Sequence, residues 1–162
     1  MARKPYPCLA TRGCADRPEG MGKVMTKLKL ENIVDSGNAA QGLLHPEAVR
    51  RFEVEALVDT GATTLVIPAD IAEALGLRVL AHRRVKLASG AIETAPLVTD
   101  LFIEILGRQM ACDALVMPAG SMPLIGQIPL EALDLIVDPK SRDLAVNPAS
   151  PDTPLLDCLL AS

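Results

Sequence analysis

The chain has no tryptophan, and aromatic residues make up 2% of its 162 positions. Proteins that hold single-stranded nucleic acid stack bases on aromatic rings, and that class has little to build on here. A formal charge of −4 also withholds the basic footprint that duplex binding requires. No apolar run approaches the roughly 20 residues of a membrane-spanning helix. Neither nucleic acid nor a membrane is therefore expected as a partner. Histidine occurs twice, at the well-separated His45 and His82, and no Cys-x-x-Cys pair exists. Metal-ligand spacing cannot be assembled from such a set, so no metal and no other cofactor is expected. The cysteines Cys8, Cys14, Cys112 and Cys158 do not read as a disulfide framework. They fit free thiols in a reducing cytoplasm.

What is abundant is aliphatic. Hydrophobic residues are 49% of the chain, enough for one core built of Leu, Val, Ile and Ala. The first 20 residues, MARKPYPCLATRGCADRPEG, are polar, rich in Pro and Gly, and more basic than acidic. They lack the apolar centre of a secretion signal and read as a flexible leader. Met21 opens a segment that looks like the start of a folded domain, and is a second candidate start of translation. The domain is expected over residues 21–147, and residues 148–162, ending in ASPDTPLLDCLLAS, read as a tail.

Within the domain the dominant period is two. KVMTKLKLEN is a strand by partial alternation, and VRRFEVEALVD alternates cleanly, with Phe52, Val54, Ala56 and Val58 on one side. TTLVIP is a β-branched strand. PADIAEALGL has a helical apolar face of Ile71, Ala74 and Leu75, opened by Pro68 and closed by Gly76. RRVKLASGAIETAPLV and LFIEILGRQMACDALVMP each read as strand, turn, strand, with Ser89-Gly90 and Gly107-Arg108 at the tips. PLIGQIPLEALDLIVD gives a short strand, a short helix after Pro129 and a closing strand, and DLAVNP one more. Many short strands with one or two short helices indicate an all-β, closed barrel-like fold.

One residue disturbs this pattern. In EALVDTGATTLVIP, residues 55–68, Asp59 stands between Leu57-Val58 and Leu65-Val66-Ile67. An unpaired carboxylate in apolar surroundings is costly, so such a residue keeps its place through a partner or a task. NIVDSGNAA, residues 32–40, carries a similar Asp35-Ser36-Gly37. Its followers read as loop, and Asp, Ser and Gly are ordinary turn residues, so an exposed turn is expected there.

Leu57-Val58-Asp59-Thr60-Gly61-Ala62-Thr63 resembles the catalytic motif of aspartic proteases. Downstream, Leu124-Ile125-Gly126 resembles the second signature of that group, and Ser89-Gly90-Ala91 in its hairpin resembles the flap. The three occur in the family's order over residues 50 to 147. A single Asp-Thr-Gly in a short domain resembles the retropepsin branch, the retroviral-type proteases and their small bacterial relatives. The resemblance implies an acid-protease barrel and an endopeptidase acting on protein or peptide substrates. Asp59 would be catalytic, with Thr60, Gly61 and Ala62 supporting its loop, and Thr60 bonding across a two-fold axis. Ser89, Gly90 and Ala91 would cover the substrate, while Leu124, Ile125 and Gly126 would pack behind the Asp loop. Two carboxylates sharing one proton provide both the base and the acid of amide hydrolysis. One such Asp per chain implies a homodimer. The chain departs from the retroviral pattern where an Asp and an Arg usually form an ion pair: here stand Thr63 or Thr64, and Gln127. A module of the same fold that binds peptides or dimerises without cleaving is the other reading.

Overall fold

The computed structural model describes residues 23–138, 141 and 143–156. The expected leader lies outside these residues, as do Cys8, Cys14 and Cys158. Alternation becomes strand wherever it is sustained. In β1 (Met25–Asn32) every second residue, Thr26, Leu28, Leu30 and Asn32, is buried. β2 (Arg51–Val58) lies antiparallel to it, with Leu28 opposite Val54 and Leu30 opposite Phe52. β3 (Leu65–Pro68), β4 (Arg78–Lys86), β5 (Ile92–Ile105), β6 (Arg108–Met117) and the two-residue β7 (Leu124–Ile125) complete the large sheet.

That sheet closes on itself. The strands β1, β2, β7, β3, β6 and β5 are hydrogen-bonded in sequence, and β5 pairs back to β1. Closure removes the free edges that an open sheet would expose. β4 stands outside the ring and pairs with β5 alone. β5 can serve both because it is long. Its first part runs with β4, while Leu101 to Glu104 runs with β1. An irregularity in the pairing with β6 falls between Val98 and Leu101, where Asp100 takes a φ of +69°. Such bulges bend a strand and raise its twist, which lets one strand leave the barrel and rejoin it. The core is aliphatic, as composition requires: Leu28, Leu65, Ile67, Ile103, Ile105 and Ile125 are fully buried. No helix among the described residues is long and apolar enough to cross a membrane.

Helix is more frequent than the sequence pattern suggests. α2 (Ala69–Ala74) follows Pro68, which is the N-cap rather than the first helical residue. α3 (Gln127–Ala132) begins ahead of Pro129, directly after Gly126. The main correction is α1 (Ile33–Ala40), which replaces the exposed turn expected around Asp35. Its cause is local. The Asn32 side chain accepts hydrogen bonds from the Val34 and Asp35 amides at 2.9 and 3.1 Å, which is N-capping. The same Asn32 donates to the Leu75 carbonyl at 2.9 Å, locking the helix start to the core. Asp35 is 7% exposed, not exposed as a turn residue would be. Arg50 donates to it from Nε at 2.6 Å, from Nη2 at 2.8 Å and from its backbone amide at 3.1 Å. The guanidinium lies across Gly76, where any side chain would collide with it: a Cβ there would sit 1.7 Å from Arg50 Nη1.

A second polar anchor closes the C-terminal side. The expected Gly107-Arg108 turn is shifted by one residue. Leu106 and Gly107 take positive φ values of 50° and 80°, as a two-residue hairpin turn requires, and Arg108 begins β6 buried. Arg108 donates to the carbonyls of Leu133 and Asp134 at 2.8 Å each, and to that of Ser150. Asp134 accepts from the Ser150 hydroxyl, from Asn147 Nδ2 at 2.8 Å and from the Leu155 amide at 3.1 Å. These bonds, the Ser150 hydroxyl first, pull its pKa down to about 2. They fasten the small sheet of β8 (Leu135–Val137) and β9 (Leu144–Val146), and the chain beyond it as far as Leu155.

The Asp35–Arg50 pair has a measurable signature. Hydrogen bonds from Arg50 hold the Asp35 carboxyl below its ordinary 3.8. A lowered folded-state pKa contributes stability that is present above the unfolded value and is lost as pH falls through the folded one. Asp35→Asn should lower the melting temperature at pH 7. The gap between wild type and variant should narrow as pH drops below about 4. Thermal melts between pH 7 and pH 2 test this, and a gap that stays constant would refute the role given to the pair.

Candidate active site

The Asp loop is gripped through its backbone. β2 ends at Val58 and delivers Asp59 to the rim of the barrel. β7 is wedged between the two arms of the loop. It runs parallel to β2, with Leu57 beside Leu124 and Val58 beside Ile125, and antiparallel to β3, with Val66 beside Leu124. The Leu57 amide donates to the Pro123 carbonyl at 2.9 Å, and the Asp59 amide to the Ile125 carbonyl at 3.0 Å. The Ala62 amide returns to the Asp59 carbonyl at 3.0 Å and closes the turn. From behind, the amides of Gln127 and Ile128 bind the carbonyls of Ala62 and Thr63 at 2.8 and 3.0 Å.

Gly126 is what allows this approach. A Cβ at that position would stand 2.4 and 2.6 Å from the Thr64 O and N, and 2.7 Å from the Ala62 carbonyl. These are backbone atoms of a braced loop and cannot swing aside. Gly61 is constrained at the other end: its amide donates to Asp59 Oδ1 at 3.0 Å, and a Cβ there would come within 3.1 Å of the same oxygen.

Asp59 itself is half-buried, not enclosed as its apolar flanks suggest. The strands on either side bury Ala56, Leu65 and Ile67, but the carboxylate stands beyond their ends. Among the described residues its side chain has one hydrogen-bond partner, the Gly61 amide. Thr60 is exposed beside it and Ala62 half-buried. The positions of the retroviral ion pair are filled differently: Thr63 contributes its carbonyl, and Gln127 its amide to Ala62 and its side chain to Glu131 at 2.6 Å. Backbone bonds thus brace the loop where a salt bridge is missing.

The structure brings Leu124, Ile125 and Gly126 directly onto the Asp loop. It sets Ser89, Gly90 and Ala91 apart, at the tip of the β4–β5 hairpin. There the Leu87 amide donates to the Ala91 carbonyl and the Gly90 amide to the Leu87 carbonyl, both at 2.8 Å. Gly90 has a φ of +84° with open space around it, so its conformation and not crowding requires glycine. Asp35 belongs to a different place altogether, with Arg50. The roles of Pro123, Thr63 and Thr64 were not legible in the sequence, because each acts through backbone atoms that any residue supplies. Cys112 is half-buried, and burial, followed by the nearby Asp113, pushes its thiol up to about 12. Such a thiol is a poor nucleophile at neutral pH. Among the described residues no group of three or more His, Cys, Asp or Glu side chains is gathered as a metal would need.

A family model described as aspartyl protease matches residues 49–128. The match runs from just before β2 to the start of α3. It takes in the Asp loop, the β4–β5 hairpin and the β7 wedge with Gly126. No curated protein matches the chain.

Two glycine substitutions separate the grip from the carboxylate. Gly126→Ala should destabilise the fold by about 1–3 kcal/mol, since the added methyl meets fixed backbone. Gly61→Ala should cost less stability but displace Asp59. Urea denaturation should rank Gly126→Ala as the more damaging, and the opposite ranking would contradict the wedge.

Proposed function

We propose that this chain, whose residues 49–128 match the aspartyl protease family model, is an aspartic endopeptidase that works as a homodimer. The observation that carries this reading is the braced, rim-placed Asp59, whose side chain has no second carboxylate as a hydrogen-bond partner among the described residues. A loop held by so many backbone bonds positions one oxygen pair accurately, and accurate placement is what general acid–base catalysis rewards.

One carboxylate cannot do both jobs. An ionised Asp takes a proton from the attacking water, and a protonated partner hydrogen-bonds to the scissile carbonyl. Two carboxylates about 3 Å apart supply this naturally, because both cannot be ionised together. The second is Asp59 of another copy, related by a two-fold axis through the site. The half-buried position of Asp59 at the rim supports this, since a group enclosed within one chain could not reach its twin. Ile128 and Met122, close in sequence to Gly126, are 50% and 53% exposed and would be covered in such a pair. Gly61 holds one oxygen of Asp59, leaving the other to water. The hairpin with Ser89, Gly90 and Ala91 closes over an extended peptide and excludes water. Thr60 has a hydroxyl suited to bracing the two loops across the axis.

Asp59→Asn should abolish cleavage of denatured protein while leaving the melting temperature close to wild type, and a metal chelator should leave cleavage unaffected. If equal amounts of wild-type and Asp59→Asn chains are unfolded together and refolded, random pairing gives one quarter of pairs with both carboxylates. Activity should then be about a quarter of that from the same total of wild-type chain. A value near one half would mean that each chain works alone. A non-cleaving peptide-binding module would show no cleavage in any arm.

A further inference from the structure

The β4–β5 hairpin carries a stripe of positive charge that the fold does not neutralise. Elsewhere the chain pairs its exposed sheet cations with carboxylates. Lys27 meets Glu53 at 2.9 Å, Lys29 meets Glu104 at 2.6 Å and Arg51 meets Glu31 at 2.5 Å. On β4 only Arg78, at the foot of the hairpin, is matched, with Asp100 at 3.1 Å. Arg83, Arg84 and Lys86 have no ion pair among the described residues. This occurs in a chain whose overall charge is −4.

The strand period sorts these groups by face. From Ala81 to Lys86 the pairing with β5 is continuous. Ala81, Arg83 and Val85 share one face, opposite Leu97, Ala95 and Glu93. Ala95 is 4% exposed, so this face turns toward the body of the protein. His82, Arg84 and Lys86 share the other, opposite Pro96, Thr94 and Ile92, and all three are exposed. Glu93, the one acid among the paired residues from Ile92 to Thr99, lies on the body face and not beside the stripe. Alternate residues of a strand stand roughly 7 Å apart, the same repeat as alternate side chains of an extended peptide. β4 is also the outermost strand of its sheet, so one edge of its backbone remains open to another extended chain.

Resting on the protease reading, we propose that the outer face of this hairpin is an exosite for an acidic, extended segment of the protein substrate, with carboxylates at every second residue meeting His82, Arg84 and Lys86. Polypeptide is favoured over nucleic acid because no Phe, Tyr or Trp stands on the paired arms of the hairpin, residues 78–86 and 92–99, to stack a base. The exosite raises the local concentration of substrate beside the Asp loop and acts on KM rather than on kcat. It also makes the hairpin part of recognition beyond the residues around the cleaved bond.

The test uses fluorescein-labelled (Glu-Gly)4 and (Gln-Gly)4 peptides with the full-length Asp59→Asn chain. The acidic peptide should bind more tightly than the amide peptide. R84Q/K86Q should weaken acidic-peptide binding by about three- to tenfold, as expected for a few solvent-exposed pairs. Raising the salt to about 1 M should remove most of the preference. Lys27→Gln removes the same kind of charge elsewhere and should leave the preference intact. Equal binding of both peptides, or equal weakening by R84Q/K86Q and Lys27→Gln, would overturn the proposal, as would equally tight binding of a single-stranded oligonucleotide. Because this readout needs no cleavage, it stands apart from failure of the protease reading. With wild-type chain, a cleavable peptide from a mixed library should show a lower KM when extended by (Glu-Gly)4 than by (Gln-Gly)4. A change confined to kcat would also overturn the exosite.

Discussion

The insertion of β7 between β2 and β3 is the constraint on which the rest of the structure depends. Two residues, Leu124 and Ile125, are enough to join two halves of the barrel, because each side of their backbone bonds a different strand. Parallel pairing to β2 and antiparallel pairing to β3 force the intervening residues 59–64 into a loop at the barrel rim. Gly126 then permits α3 to start directly against that loop. Remove the wedge and the ring opens, the loop loses its floor, and Asp59 becomes one more exposed carboxylate.

Closure of the ring has a second consequence, carried by β5. A barrel with no free edges has no place for a projecting element unless one strand outgrows it. The 14 residues of β5 do so, turning at the Asp100 irregularity from barrel strand into hairpin arm. The hairpin therefore shares a rigid strand with the core, yet its far end is free of packing. This combination is what the proposed flap needs: anchored at one end and free at the other. It also places β4 and its unpaired cations on the outside of the molecule, within reach of a long substrate.

Two ionic clusters, each with one buried member, Asp35 in the first and Arg108 in the second, flank this core. Asp35 with Arg50 fixes α1 beside the start of β2, and Arg108 with Asp134 fastens the segment after β9. Each includes backbone partners as well as side chains, which is how a buried charge is kept without an unmet hydrogen bond. Among the described residues no buried side-chain nitrogen or oxygen lacks a partner. Neither cluster contains the carboxylate with the proposed catalytic task. Asp35 and Asp134, each with several hydrogen bonds, hold the fold, whereas Asp59 accepts from the Gly61 amide alone among the described residues.

The all-β class, the aliphatic core and the order of Asp loop, hairpin and Leu-Ile-Gly could be read directly from the sequence. Period-two alternation and glycine at turns are local properties, and local properties survive in a string of residues. Asp35 could not be placed that way. Its neighbours look like a turn, and only Asn32 hints at a helix start; burial came from Arg50, 15 residues on, and from the space left by Gly76. The depth of Asp59 is likewise not legible in the sequence, because apolar flanks say that strands are buried but not where they end relative to the rim. The wedge of β7 is a long-range pairing between backbone groups common to every residue, and the polar anchors join Arg50 and Arg108 to groups well separated in sequence, so tertiary structure decided both.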